Sequence, residues 1–507
     1  MAQDLKPIKN MIKKIALCIF LGTIIFVSGC NRKPSFAKPS FAITIESMPL
    51  SAVIYIDEEY KGKTPLNIEL KTGEHNLILL KEGYIALKEK ITVNRDDSLF
   101  HFTLKNIPIK EALPFSGSIG ATIFSNQRII IAEYLAGSTK LHCIDTSSDN
   151  ELWSYTIEGL LDVSLKITDN LLFAFSETQS PPSLYIFDIN GRLLYSYKNI
   201  SFKLLGDYLD RDIALTYDYS SQNYDSTSIW CYSFSSRKII WKIDIKKGIL
   251  VPVDPDSKFV FVFGMNENFV TLYKLDKSNG KVIYEYNLKN VRGSVSLETG
   301  RITPTIVGIL QSKVLLLSGN SMIYCIDLNT GKICFNVEVG FQPTAWEFTD
   351  EYLAISSNSE VALINLESGR IIGNYNTSFR RLPKYLAPSP QVAIDVINRK
   401  IFISGTDGKI HLYSMEGKEI VFKYATFIPS FNKNSDYASL KIESGILFAE
   451  IHYVNSVENE IETIAYNAKT LEPILNIDHK IYAKDNCIVY RVSSENKLIF
   501  MNIENIK

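Results

Sequence analysis

The thiol of Cys30 is the reactive group whose surroundings in the sequence say most about its use. Lys9, Lys13 and Lys14 precede an apolar run from Ile15 to Val27, and Ser28-Gly29-Cys30 closes it. A basic start, a short apolar stretch and small residues before a cut site make a secretory signal. The run is about 13 residues, too short for the ~20 helical residues that a hydrocarbon core of ~30 Å requires. Of the seven cysteines, Cys18 also lies in this segment, which leaves Cys143, Cys231, Cys325, Cys334 and Cys487, an odd number. A disulfide framework therefore does not hold the fold. Cys325 and Cys334 are expected to face each other across one hairpin, as two buried thiols or, in an oxidising compartment, as a disulfide. Asp145, Asp188, Asp276 and Asp327 recur at one position, just before a turn. Repetition at one structural position points to turn capping rather than catalysis. There is no His-x-x-x-His or Cys-x-x-Cys, so zinc has no support. No serine sits in a Gly-x-Ser-x-Gly elbow, so no hydrolase triad is readable. No metal and no other cofactor is expected.

The elements that must carry these residues are strands. The chain has 507 residues, 46% hydrophobic and 21% charged, which is globular and long enough for more than one domain. Its formal net charge is -1, and no basic block follows the signal, so a nucleic-acid partner is not expected. Tyr 27 and Phe 27 are high counts and β-branched residues abound, which favours strands. No long amphipathic helix is evident after residue 30.

Val27-Ser28-Gly29-Cys30 resembles the lipobox of bacterial lipoproteins. The resemblance implies that Cys30 takes a diacylglyceryl group and that the signal, residues 1–29, is cut away. Two or three acyl chains anchor a protein stably, whereas one holds it only marginally. Residues 30–40, with Pro34 and Pro39 and no periodicity, read as a tether. Asn31 rather than Asp follows the cysteine, so no inner-membrane retention signal of the enterobacterial kind is present.

Residues 41–105 show short alternating strands separated by Gly and Pro, the pattern of a small all-β unit. The landmarks Pro49, Ala52, Gly62, Thr64, Pro65, Gly73, His75, Gly83 and Tyr84 are similar to those of the PEGA domain. That family implies an extracytoplasmic module without catalysis, with His75 as a turn residue rather than a ligand.

From 106 to 507 one hairpin recurs at a period of roughly 40–50 residues, which indicates a β-propeller. An apolar strand ends in Asp or Asn, a turn with Gly or Ser follows, and a second strand carries an aromatic. Cys325-Ile326-Asp327-Leu328-Asn329-Thr330-Gly331-Lys332-Ile333-Cys334-Phe335 resembles the PQQ-type propeller repeat. Eight such hairpins are followed by a further strand pair in 487–503 without a partner. About eight four-stranded blades are expected, with seven or nine open, and the chain ends share the closing blade. Quinoprotein dehydrogenases built from such repeats use a vicinal cysteine pair, a tryptophan floor and calcium. This chain has no Cys-Cys pair, and its four tryptophans are scattered.

The expected function is a non-catalytic, lipid-anchored scaffold of the cell envelope, at the periplasmic face of an outer membrane or on the cell surface, binding a protein or envelope polymer. Its architecture is similar to that of the scaffold subunit of the outer-membrane β-barrel assembly machine, which has no PEGA domain; a shared role is analogy only. The alternative is a degenerate quinoprotein-like enzyme or a ligand sensor with its site in the channel. The longest connections are those between the second and third strands of a blade and those between blades. Tyr219, Tyr224, Arg380, Arg381 and Tyr385 lie in them and are the candidate partner-binding residues, because Tyr and Arg dominate interface hot spots.

Overall fold

The computed structural model describes residues 39–506, apart from 177–182, 199–207, 220–225, 252–257, 296–301, 377–391, 430–436, 453–460 and shorter breaks. The described residues fall into two compact units. The first runs to Ile78 and includes Lys88–Thr103; the second takes Leu79–Leu87 and Leu104 onwards.

In the first unit the alternating stretch after Pro39 becomes a strand, Ser40–Met48, that buries Ile43 and Ile45. It pairs antiparallel with Leu66–Lys71 and parallel with Ser98–Thr103. A second sheet orders Glu59–Lys63, Val53–Ile56, Gly73–Leu80 and Leu87–Val93. Ile54, Ile56, Leu77, Ile91 and Val93 are among its buried residues. Asp57 and Glu58 join two of its strands with positive φ, 51° and 69°, as tight hairpins require. His75 braces that turn. Its Nδ1 lies 2.6 Å from Asp57 Oδ2 and its Nε2 lies 2.7 Å from Lys71 O, while Asp57 Oδ1 accepts from Asn76 N–H at 2.9 Å. Burial pushes the Asp57 carboxyl up, but these hydrogen bonds outweigh it and hold the group below the ordinary aspartate range.

The second unit is a β-propeller. Among the described residues it has nine four-stranded antiparallel sheets, within the expected range. In chain order the blades span 118–158, 164–198, 208–246, 249–288, 305–338, 345–376, 392–427 and 437–477. Blade 9 combines Ile481–Lys484, Cys487–Val492 and Lys497–Asn502 with Ile109–Pro114, which pairs antiparallel with Lys497–Asn502. The two ends of the repeat region thus share the closing blade, as expected. Middle strands are apolar on both faces because a neighbouring blade covers each: Val314, Leu315 and Leu316 are all buried. One hydrophobic cluster fills each joint. Leu141 of blade 1 meets Leu172 of blade 2, and Phe263 of blade 4 meets Leu316 of blade 5. Val489 and Phe500 of blade 9 pack with Ile129 and Ile131 of blade 1, which closes the ring. First strands of neighbouring blades approach closely at blades 1 and 2, 6 and 7, and 7 and 8, so these strands are innermost.

The recurring aromatic and the recurring glycine meet across these joints. Trp153 Nε1–H donates to Ile189 O at 3.0 Å and Trp241 Nε1–H donates to Lys277 O at 2.8 Å; the Tyr284 hydroxyl donates to Leu328 O in the same way. Each acceptor directly follows the turn acid of the next blade. The turn glycine of that blade lies against the ring: a Cβ on Gly191 would sit 2.5 Å from Trp153, and one on Gly280 2.6 Å from Trp241. Gly280 is therefore required twice, by its φ of +70° and by the absence of space.

Candidate functional site

The repeated acids are committed to structure. Asp145 Oδ1 accepts from the backbone N–H groups of Ser147 and Ser148, at 2.9 and 2.8 Å. Asp188 accepts from Asn190 and Arg192 N–H, both at 3.0 Å. Asp327 accepts from Thr330 N–H at 2.7 Å, and Asn365 from Ser368 N–H at 2.8 Å. The Ser147 hydroxyl and these amides pull the Asp145 carboxyl down to about 2. A carboxylate so occupied neither takes up a proton near neutral pH nor turns toward a substrate.

Strand alternation fixes where the long connections emerge. With four antiparallel strands per blade, the link from second to third strand and the link to the next blade leave from the same face. The tight hairpin turns occupy the other. Tyr219 ends the strand Ile213–Tyr219, its backbone opposite Thr227 at the loop end of that hairpin. Tyr224, Arg380, Arg381 and Tyr385 lie outside the described residues, as does Cys30. Arg380, Arg381 and Tyr385 follow Arg370–Asn376 and precede Val392–Asp395; the first of these strands ends, and the second begins, on the same face as Tyr219.

The cysteine hairpin departs from expectation. Cys325 stands opposite Phe335, not Cys334, because the outer strand bulges at Cys334. The sequence pattern overlooked this extra residue. Both thiols are free; Cys325 is buried, but Cys334 is exposed rather than buried. Burial, with Cys334 beside it, pushes the Cys325 thiol up to about 12.

Two features had no sequence signature. In blade 1, His142 Nε2 lies 2.9 Å from Glu133 Oε2 and Nδ1 lies 2.7 Å from Glu151 Oε1. Glu133 Oε1 accepts from Gly117 N–H at 2.7 Å, and Phe115 meets the imidazole edge-on at 5.1 Å. The network ties the segment between the closing strand and blade 1 to the second and third strands of that blade. Burial raises the Glu133 carboxyl, but Gly117 N–H and His142 more than offset it, so it sits below the ordinary glutamate range. The second feature is a cavity of about 420 Å³ at the innermost strands of blades 8, 9 and 1, lined by Phe124, Ser439, Lys441, Glu450, Tyr482 and Lys484 among others. Lys441 Nζ donates to Ala483 O at 2.6 Å across it.

Residues 40–107 match the PEGA domain family. No curated protein matches the chain. Among solved structures it is similar to BamB from Moraxella catarrhalis, at 13% identity and a TM-score of 0.41, over 71% of this chain and 99% of that one. It is also similar to Sqt1 from Saccharomyces cerevisiae, at 12% identity and a TM-score of 0.38, over 77% of this chain and 97% of that one.

Proposed function

We propose that this protein is a lipid-anchored, non-catalytic scaffold of the cell envelope that binds a protein or envelope polymer through the long-loop face of its propeller. The observation that carries the reading is the fate of the repeated polar residues. Each turn acid described above is consumed by backbone N–H groups, and Trp153, Trp241 and Tyr284 by a carbonyl of the next blade. The repeat therefore spends its chemistry on building the ring. What varies from blade to blade is the length and composition of the connections on one face, and variable loops on a rigid frame are where recognition is placed.

The anchor rests on the N-terminal sequence: basic residues, a short apolar run, and Cys30 after two small residues. A Cys30→Ala protein, lacking the thiol, should remain unprocessed and take up no labelled lipid. Normal cleavage with lipid incorporation would contradict the anchor.

A second reading, a small-ligand sensor, is favoured by the cavity at Lys441, Tyr482 and Lys484. Mass spectrometry of the gently purified full chain separates the two. The scaffold reading expects no stoichiometric small molecule; a retained ligand that Lys441→Ala abolishes would favour the sensor.

A further inference from the structure

The start of each outermost strand repeats a pattern that capping does not explain. Blades 2 to 6 begin this strand Arg192-Leu193-Leu194, Lys238-Ile239-Ile240, Lys281-Val282-Ile283, Lys332-Ile333-Cys334 and Arg370-Ile371-Ile372. In every one the second residue stands opposite the residue just before the turn acid or its counterpart, and a bulge follows. The equivalent first positions are Asn150 in blade 1, Val421 in blade 7 and Glu472 in blade 8, so the cations mark five consecutive blades only. On the middle three blades the aliphatic residues at these positions are exposed: Ile239 45%, Ile240 44%, Val282 37%, Ile283 49% and Ile333 36%. Leu193, Leu194, Ile371 and Ile372, on the flanking blades, are half-buried. Among the described residues no ion pair holds Lys238, Lys281 or Lys332. Leu152 on blade 1 and Phe422 on blade 7 are exposed as well, but without a cation before them.

We infer that the rim of blades 3 to 5 rests on an anionic lipid bilayer. Three neighbouring cations, each followed by exposed aliphatic side chains, are what an interface of headgroups over acyl chains selects. The aliphatics enter the acyl boundary and the lysine stems lie along it, with their ammonium groups among the phosphates. A flat surface tangent to a ring of blades meets only a few neighbours, which fits an apolar stripe confined to three. The inference rests on the membrane attachment proposed above: a chain already tethered to a bilayer needs only a weak patch to settle on it. The rim adjoins the tight-turn face, so such a contact leaves the long-loop face free for a partner.

The test uses the mature lipidated chain, in which the Cys30 thiol is acylated and Cys18 has left with the signal, so that Cys334 is the exposed thiol of the described residues. Cys334 carries an environment-sensitive fluorophore, and the protein is mixed with vesicles of phosphatidylcholine alone or with phosphatidylglycerol, some holding a spin-labelled quencher. Flotation reports attachment; the fluorophore reports the rim. With phosphatidylglycerol the emission should shift to the blue and be quenched. Both effects should be lost on phosphatidylcholine alone and in a Lys238→Glu, Lys281→Glu, Lys332→Glu variant that still floats. A protein that floats while its fluorophore stays water-like, or one whose charge-reversed variant is quenched equally, overturns the rim contact and leaves the attachment standing. Failure to float overturns both. A blue shift produced by an acidic protein but by neither vesicle assigns the stripe to a protein partner instead.

Discussion

Gly280→Ala is the substitution for which the ring geometry makes its sharpest demand. At φ +70° an L-residue pays about 1–2 kcal/mol for the left-handed backbone. The new Cβ would stand 2.6 Å from Trp241 Cδ2, inside van der Waals contact, and relieving such an overlap costs about 1–3 kcal/mol. Moving the indole also stretches its 2.8 Å bond to Lys277 O, at about 0.5–1.5 kcal/mol. Together these predict a loss of about 2.5–6.5 kcal/mol. Gly137 supplies the control: its φ is +86°, yet nothing lies within 4 Å of its Cβ direction. Gly137→Ala should cost the backbone component alone, about 1–2 kcal/mol. Urea unfolding followed by tryptophan fluorescence and circular dichroism gives both values. Trp241→Leu should recover part of the Gly280→Ala loss, because residues in contact are not additive. Equal costs for the two glycines, without recovery, would refute the claim that the turn glycine is set by the aromatic of the preceding blade.

Other consequences follow from the closing joint and the thiols. Folding depresses the Glu133 carboxyl, so its contribution is fully present above the unfolded value of about 4.3 and is lost as pH falls through the lower folded value. Glu133→Gln should cost about 1–2 kcal/mol at pH 7, and the gap from wild type should narrow in acid; a constant gap would mean the charge contributes nothing. Native alkylation at pH 8 should modify Cys334 and spare Cys325 and Cys143, which are buried with thiols raised to about 12 and about 11. Peptide mass mapping reads the order, and prompt Cys325 modification would count against its burial. Deleting 486–507 removes two strands of the closing blade and leaves Ile109–Pro114 without a pair. Insolubility or a sharply lower melting temperature is expected, and an unchanged one would make these strands an appendage.

The propeller is legible in the sequence because each hairpin repeats Asp or Asn, a turn glycine and an aromatic in fixed order. That the chain ends share the closing blade is legible too, but not that Ile109–Pro114 is the strand: it lies some 390 residues from its partner in sequence and has no hairpin of its own to mark it. The bulge at Cys334 escaped for a related reason, since counting residues across a hairpin assumes an even register. Glu133, His142 and Glu151 are spaced nine apart, which means nothing until three strands lie side by side. The rim stripe is written openly as Lys-Ile-Ile and Lys-Val-Ile, but Arg370-Ile371-Ile372 reads alike and is half-buried. Exposure, not pattern, separates them. The face proposed for a partner is legible only as topology: long connections can be assigned to a side from strand order alone, whereas a ligand for them cannot.

The most direct test of the scaffold reading is partner capture by the full chain from envelope extract, with Tyr219, Tyr224, Arg380, Arg381 and Tyr385 replaced together by alanine. The account predicts that capture falls while the melting temperature hardly moves, since surface changes away from special features usually cost within about 0.5 kcal/mol each. Undiminished capture by that variant, with loss instead from substitutions among the tight turns, would contradict it and assign recognition to the opposite face.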